Sequence, residues 1–144
     1  MERYSGLKIL SNITTHPFIM ADPVNHVASP QAFADLLSSN MYVVADFYAD
    51  WCGPCRAIAP AYTQLAKTHS VPKYLSFAKV NVDNVQAVAA QYGVTAMPTF
   101  MFFKNGKQVA VNGNAKIMGA DAQALTAAAG KLGRLAKENA AKAA

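Results

Sequence analysis

Cysteine is scarce in this chain: two residues among 144, Cys52 and Cys55. There is no second Cys pair, and His16, His26 and His69 are scattered. The roughly four ligands of a structural zinc site are therefore not expected, and no metal is called for. Acids are also few, eight against thirteen Lys and Arg, which leaves a net charge of +5. The basic residues are thinly spread and no Lys/Arg block stands beside aromatics. The excess reads as a solvated basic surface, and no nucleic-acid partner is expected. Long apolar runs are missing too. They are interrupted by Asp46 or by Pro98-Thr99, and none approaches the roughly 18 residues of a membrane span. No apolar core of about seven or more residues marks a secretory signal near Met1. A structural disulfide of the secreted kind is then not expected, and two cysteines in one short stretch fit a reducing compartment.

What the chain does hold is a hydrophobic share of 53%, ample for the core of one domain. A monomer is the default expectation. The chemistry is concentrated in Asp46-Phe47-Tyr48-Ala49-Asp50-Trp51-Cys52-Gly53-Pro54-Cys55. The apolar run Tyr42-Val43-Val44-Ala45 reads as the strand before it, and Arg56 to Lys67 as a helix after it. Two thiols at a strand end and a helix start are suited to reaction. The first helical turn has unpaired N–H groups and a partial positive charge, and both favour thiolate, the nucleophilic form. Cys52 is expected at the helix start with the more exposed sulfur. Cys55 lies one turn in on the same face, within reach of a disulfide. Gly53 would let another backbone approach, and Pro54 has a φ suited to a first helical turn.

Trp51-Cys52-Gly53-Pro54-Cys55 resembles the active-site motif of the thioredoxin family. The likeness continues through Ala45-Asp46-Phe47-Tyr48-Ala49, Phe77-Ala78-Lys79-Val80-Asn81-Val82-Asp83, Tyr92-Gly93-Val94, Ala96-Met97-Pro98-Thr99-Phe100 and Phe103-Lys104-Asn105-Gly106. It covers about Val24 to Lys137. The resemblance implies an α/β thioredoxin fold, a mixed sheet of about five strands with helices on both faces. It implies a protein-disulfide reductase with Cys52 as nucleophile and Cys55 as resolving thiol. Asp46 would move the proton of Cys55 and Lys79 would tune Asp46. Trp51, Gly53, Pro54, Met97 and a cis Pro98 would shape the docking surface, bordered by Met118, Gly119 and Ala120. No bound cofactor is implied; electrons would come from NADPH through a thioredoxin reductase, and the other partners would be disulfide-containing proteins. Gly-Pro between the cysteines, rather than Gly-His, points to a reductase and not an isomerase. A second reading is a redox-sensing or binding module with little turnover, motivated by the terminal extensions and by a stretch from Gly106 to Gly119 longer than the family's.

From the residues alone, Asp46 could also be an acid satisfied by local hydrogen bonds, Lys79 a surface lysine and Pro98 an ordinary edge proline. Residues 1–22 read as an extension: disordered, preceding an alternative start at Met20, or a mitochondrial presequence carrying Arg3 and Lys8. The location expected is cytoplasmic, with the mitochondrion as alternative. Residues 23–144 read as the domain with a short helical tail. Val24 to Val27 suggests an edge strand, and Ser29-Pro30 a capped helix start. Leu75 to Val82 suggests a strand, and Asn84 to Tyr92 a helix stopped by Gly93. Thr99 to Phe103 and Gln108 to Val111 suggest a hairpin about Asn105-Gly106, with an extra turn or bulge near Asn112-Gly113. Asp121 suggests the cap of a last helix that Gly130 and Gly133 weaken.

Overall fold

The computed structural model describes residues 21–144, so the expectations for the first twenty residues lie outside the described part. The elements run β1 (Val24–Val27), α1 (Pro30–Ser39), β2 (Tyr42–Tyr48), α2 (Gly53–His69), β3 (Leu75–Asn81), α3 (Gln86–Gln91), β4 (Thr99–Lys104), β5 (Lys107–Val109), β6 (Lys116–Met118) and α4 (Ala122–Ala143). The sheet order is β1-β3-β2-β4-β5, with β6 also on β4. β1, β3 and β2 are parallel, while β4 and the short strands beside it run antiparallel. This is the mixed α/β sheet expected, with one difference: it has six strands among the described residues rather than about five.

The extra strand has a simple origin. Val109 pairs with Phe102 and Lys116 with Met101, adjacent partners on β4, so residues 110–115 loop out of one interrupted edge strand. At the tip, Val111 and Asn114 exchange backbone hydrogen bonds at 2.9 Å in both directions. Asn112 (φ 53°) and Gly113 (φ 83°) occupy the left-handed positions of that tight turn, conformations that Asn and Gly tolerate. Six residues is an even number, so side-chain alternation survives the excursion. Val109 and Ile117 both face the core that holds Phe100 and Phe102.

Strand alternation sends β2 into two cores. Val43, Ala45 and Phe47 meet α1 and α3 through Phe33, Leu37 and Val88. Tyr42 and Val44 meet α2 and α4 through Ile58, Tyr62, Leu125 and Leu132. Helices on both faces explain the continuous apolar run of β2. The first core is knit by Phe33, Phe47, Tyr92 and Phe103, in edge or tilted pairs with centroids 5.3–6.4 Å apart. In the second, the Tyr62 hydroxyl lies 2.7 Å from the Ala78 carbonyl oxygen and 3.1 Å from that of Val44. It thereby ties α2 to the β2–β3 seam.

Local signals set the helix ends. The Ser29 hydroxyl accepts from the Ala32 N–H and Pro30 opens α1. The Asp121 carboxylate accepts from the Ala124 N–H at the start of α4. The α3 helix is shorter at both ends than Asn84–Tyr92: the backbone of Asn84 and Val85 donates back to the Asn81 carbonyl in a turn before it, and Tyr92 is its C-cap.

Candidate functional site

The end of β2 delivers the chain to α2 through Ala49-Asp50-Trp51. Cys52 is the N-cap of α2, with extended backbone, and its Sγ accepts from the Cys55 N–H at 3.1 Å. A sulfur therefore occupies the place where an N-cap oxygen usually satisfies a free helix N–H. Cys52 and Cys55 form a disulfide with Cα atoms 5.3 Å apart. The two residues are nearly equally buried, at 5% and 4% exposure. Trp51 beside them is 67% exposed. Gly53 opens the helix with Pro54 next to it. The close backbone approach expected at Gly53 is not made within the described residues, where a Cβ would meet nothing within 4 Å.

A second loop faces the disulfide. The Met97–Pro98 peptide is cis. The Met97 carbonyl oxygen lies 3.5 Å from Cys52 Sγ, and none of the described residues accepts a hydrogen bond from the Met97 N–H. Pro98 is buried and its carbonyl accepts from the Gly119 N–H at 2.8 Å. That bond brings the end of β6 to the same place: Met118, opposite Thr99, is 58% exposed, and Gly119 takes φ 90° before the exposed Ala120. Trp51 and Met118 are the large exposed apolar side chains of the described surface.

Asp46 lies beneath. It is 1% exposed, and neither carboxylate oxygen has a hydrogen-bond partner among the described residues. The local satisfaction considered from sequence is therefore absent. Alternation along β2 points its side chain toward the core beneath α2. Its register partners are Lys79 on β3 and Phe100 on β4. Burial pushes the Asp46 carboxyl up to about 7, against the opposing charge of Lys79. Desolvation prevails because no donor among the described residues compensates the ionised form. Lys79 is half-buried; its ammonium stands 4.3 Å from the centroid of the Tyr48 ring. Among the described residues the one ion pair within 4.0 Å is His26–Asp22, with His26 of β1 opposite Lys79 in register, so Lys79 is in salt-bridge contact with neither Asp46 nor Asp22.

Two contacts and one shared helix face at the site were not read from the sequence. The Trp51 indole donates to the Asp83 carboxylate at 3.0 Å. The Arg56 guanidinium donates to the Asp50 carbonyl at 2.7 Å. Tyr62 shares the inner face of α2 with Cys55, two turns away. Asp83 stood in the motif around Lys79, yet nothing local signals that it meets a tryptophan 32 residues earlier. No group of three or more His, Cys, Asp or Glu among the described residues could hold a metal.

Comparison with known proteins agrees with this arrangement. The family model described as thioredoxin matches residues 24–128. The chain is 67% identical over 124 residues to a thioredoxin of Neurospora crassa, covering 86% of this chain and 98% of that one. It is 65% identical over 115 residues to a thioredoxin-like protein of Fusarium culmorum, covering 80% and 95%. Its backbone is similar to the solved thioredoxin of Plasmodium falciparum, with TM-score 0.67 and 39% identity over 74% of this chain and 97% of that one.

Proposed function

The chain belongs to the thioredoxin family, and we propose a division of labour at its site in which Cys52 attacks, Cys55 resolves and Asp46 carries the proton. The protein is a protein-disulfide oxidoreductase working by dithiol–disulfide exchange through Cys52 and Cys55. Thioredoxins need no prosthetic group for this.

In the proposed sequence the Cys52 thiolate attacks one sulfur of a substrate disulfide. The substrate S–S bond breaks, its second sulfur leaves as thiolate and takes a proton from solvent, and a mixed disulfide remains. The Cys55 thiol then gives its proton to the Asp46 carboxylate, and the new thiolate attacks Cys52 Sγ. The mixed disulfide breaks, the remaining substrate sulfur departs with the electron pair, and the Cys52–Cys55 disulfide is left. The observation that carries this assignment is Cys52 Sγ at the N-cap of α2, taking a hydrogen bond from the Cys55 N–H beside the Met97 carbonyl. The capping N–H and the helix dipole both stabilise a thiolate there. A carboxyl near pKa 7 under the pair suits proton transfer at neutral pH.

Docking is assigned to Trp51, Gly53, Pro54, Met97, Pro98, Met118, Gly119 and Ala120. The Met97 N–H and carbonyl can pair with an extended substrate segment, and Trp51 and Met118 offer apolar surface on either side. The open space over Gly53 leaves room for that segment's backbone. Electrons are proposed to come from NADPH through a thioredoxin reductase. A cytoplasmic monomer is the working assignment, with a mitochondrial location as the alternative. No helix among the described residues is long and apolar enough to cross a membrane.

The test is NADPH-dependent reduction of a disulfide protein with thioredoxin reductase supplied. Wild type turns over, Cys52→Ser does not, and Cys55→Ser accumulates a mixed disulfide. A Cys55→Ser protein that trapped no substrate would reverse or abolish the proposed roles. A wild type that cycled its disulfide without turnover would favour a sensing or binding module.

A further inference from the structure

Beside the disulfide is a cleft of about 250 Å³ whose lining includes Tyr48, Cys55, Arg56 and Lys79. It connects the resolving thiol with the cation that opposes the burial of Asp46. Among the described residues Lys79 is held there by neither an ion pair nor a side-chain hydrogen bond. Its ammonium lies over the face of Tyr48, the last residue of β2. Such a contact is attractive, and more so as the cation is desolvated. Tyr48 and Lys79 are both half-buried, which strengthens it. A lysine released from such a seat has a long flexible stem and a strongly hydrated head, and it extends to solvent.

The surrounding charges leave this role to the ring. Arg56, the other cation at the cleft, donates to the Asp50 carbonyl. Asp46 is faced by Lys79 from β3, and its charge is felt by the buried Tyr62 hydroxyl of α2. Cys55 of α2 lies on the same side of the sheet. Asp50 is at the cleft but exposed. From β1, His26 stands opposite Lys79 in register and pairs at 2.8 Å with Asp22, whose carboxyl feels the Lys79 charge; both are exposed and neither is within ion-pair distance of the ammonium. Lys79 is therefore the one cation next to Asp46 in the sheet register, and Tyr48 is what it rests on.

We propose that Tyr48 is a positioning residue for the resolving step: its ring face seats the Lys79 ammonium at the cleft, where the cation supports the ionised form of Asp46. The inference deepens the reading of Asp46 as proton acceptor and rests on it. Loss of the seat leaves Asp46 harder to ionise, so the resolving rate falls at neutral pH and recovers only at higher pH.

The experiment is stopped-flow reaction of the reduced protein with 5,5′-dithiobis(2-nitrobenzoate). The slow unimolecular release of the second thionitrobenzoate reports resolution, and it is followed from pH 5.5 to 9. Tyr48→Leu shifts the midpoint of the rising limb upward by about half a pH unit or more. Tyr48→Phe, which keeps the ring, retains the wild-type midpoint. In a Lys79→Met background, whose own midpoint is raised, Tyr48→Leu adds nothing. A Tyr48→Leu protein with the wild-type midpoint, or one with the same shift in the absence of Lys79, overturns the proposal. A second readout is the upfield ring-current shift of the Lys79 ε-methylene protons in the oxidised protein. It is present in wild type and Tyr48→Phe and lost in Tyr48→Leu; its absence from wild type overturns the seat itself. An Asp46→Asn limb identical to wild type overturns the acid's role, and the ring-current shift still decides the seat separately.

Discussion

Asp46→Asn makes the oxidised protein more stable at pH 8 and leaves it nearly unchanged at pH 4. The carboxyl titrates near 3.8 when exposed and at about 7 in the fold. Between those values the native state keeps a proton that the unfolded chain has given up. Native stability therefore falls as pH rises through this window, by about 1.4 kcal/mol per pH unit, and levels off above pH 7. Across the window the wild type loses about 4 kcal/mol, which the neutral amide does not lose. Below the window the comparison is a protonated carboxyl against an amide of similar size, each a neutral polar group in the same buried place. Other carboxylates, such as Asp22 with its lowered pKa, are common to both proteins and cancel in the difference. The assay is guanidinium unfolding of oxidised wild type and Asp46→Asn at pH 4 and pH 8, so that no thiol titrates. The expected gain at pH 8 corresponds to a melting temperature higher by roughly 10 °C or more. A stability difference that is the same at both pH values would refute the burial argument. A lower stability of the variant at pH 8 would show that the carboxylate has a partner not found among the described residues.

Three further outcomes follow from the packing. Gly130→Ala meets open space and gains about 0.5–1 kcal/mol from helix propensity. Gly133→Ala places a Cβ 2.7 Å from His69 Nδ1 and 3.1 Å from its Cβ, so it loses about 1–2 kcal/mol and recovers in combination with His69→Ala. Urea unfolding of the four proteins decides this, and equal effects at both glycines would contradict the contact. Tyr62→Phe removes a hydroxyl from two buried strand carbonyls and costs about 1–2 kcal/mol in the same assay. No loss would mean that the carbonyls are fully satisfied by the sheet.

Much of this protein is written in short stretches of sequence, because the forces that shape those stretches act over one helical turn or one strand. Ser29-Pro30 caps α1, Asn105-Gly106 turns β4 into β5, and the apolar run of β2 marks a strand covered on both faces. The spacing of Cys52 and Cys55 at a strand end and helix start was enough to identify the reactive pair. Asp46 stood out as an acid in an apolar strand. The tertiary structure decided what depends on segments brought together from far apart. It divided the edge beside β4 into β5 and β6 by looping out residues 110–115, which rests on pairing with Phe102 and Met101 rather than on local propensity. It buried Cys52 as deeply as Cys55 and left Trp51 outside, held by Asp83. It left the carboxylate of Asp46 without a partner among the described residues and set the ammonium of Lys79 over Tyr48. A sequence shows that an acid and a lysine exist; only the parallel register of β2 on β3 sets them side by side, and only packing decides whether they touch.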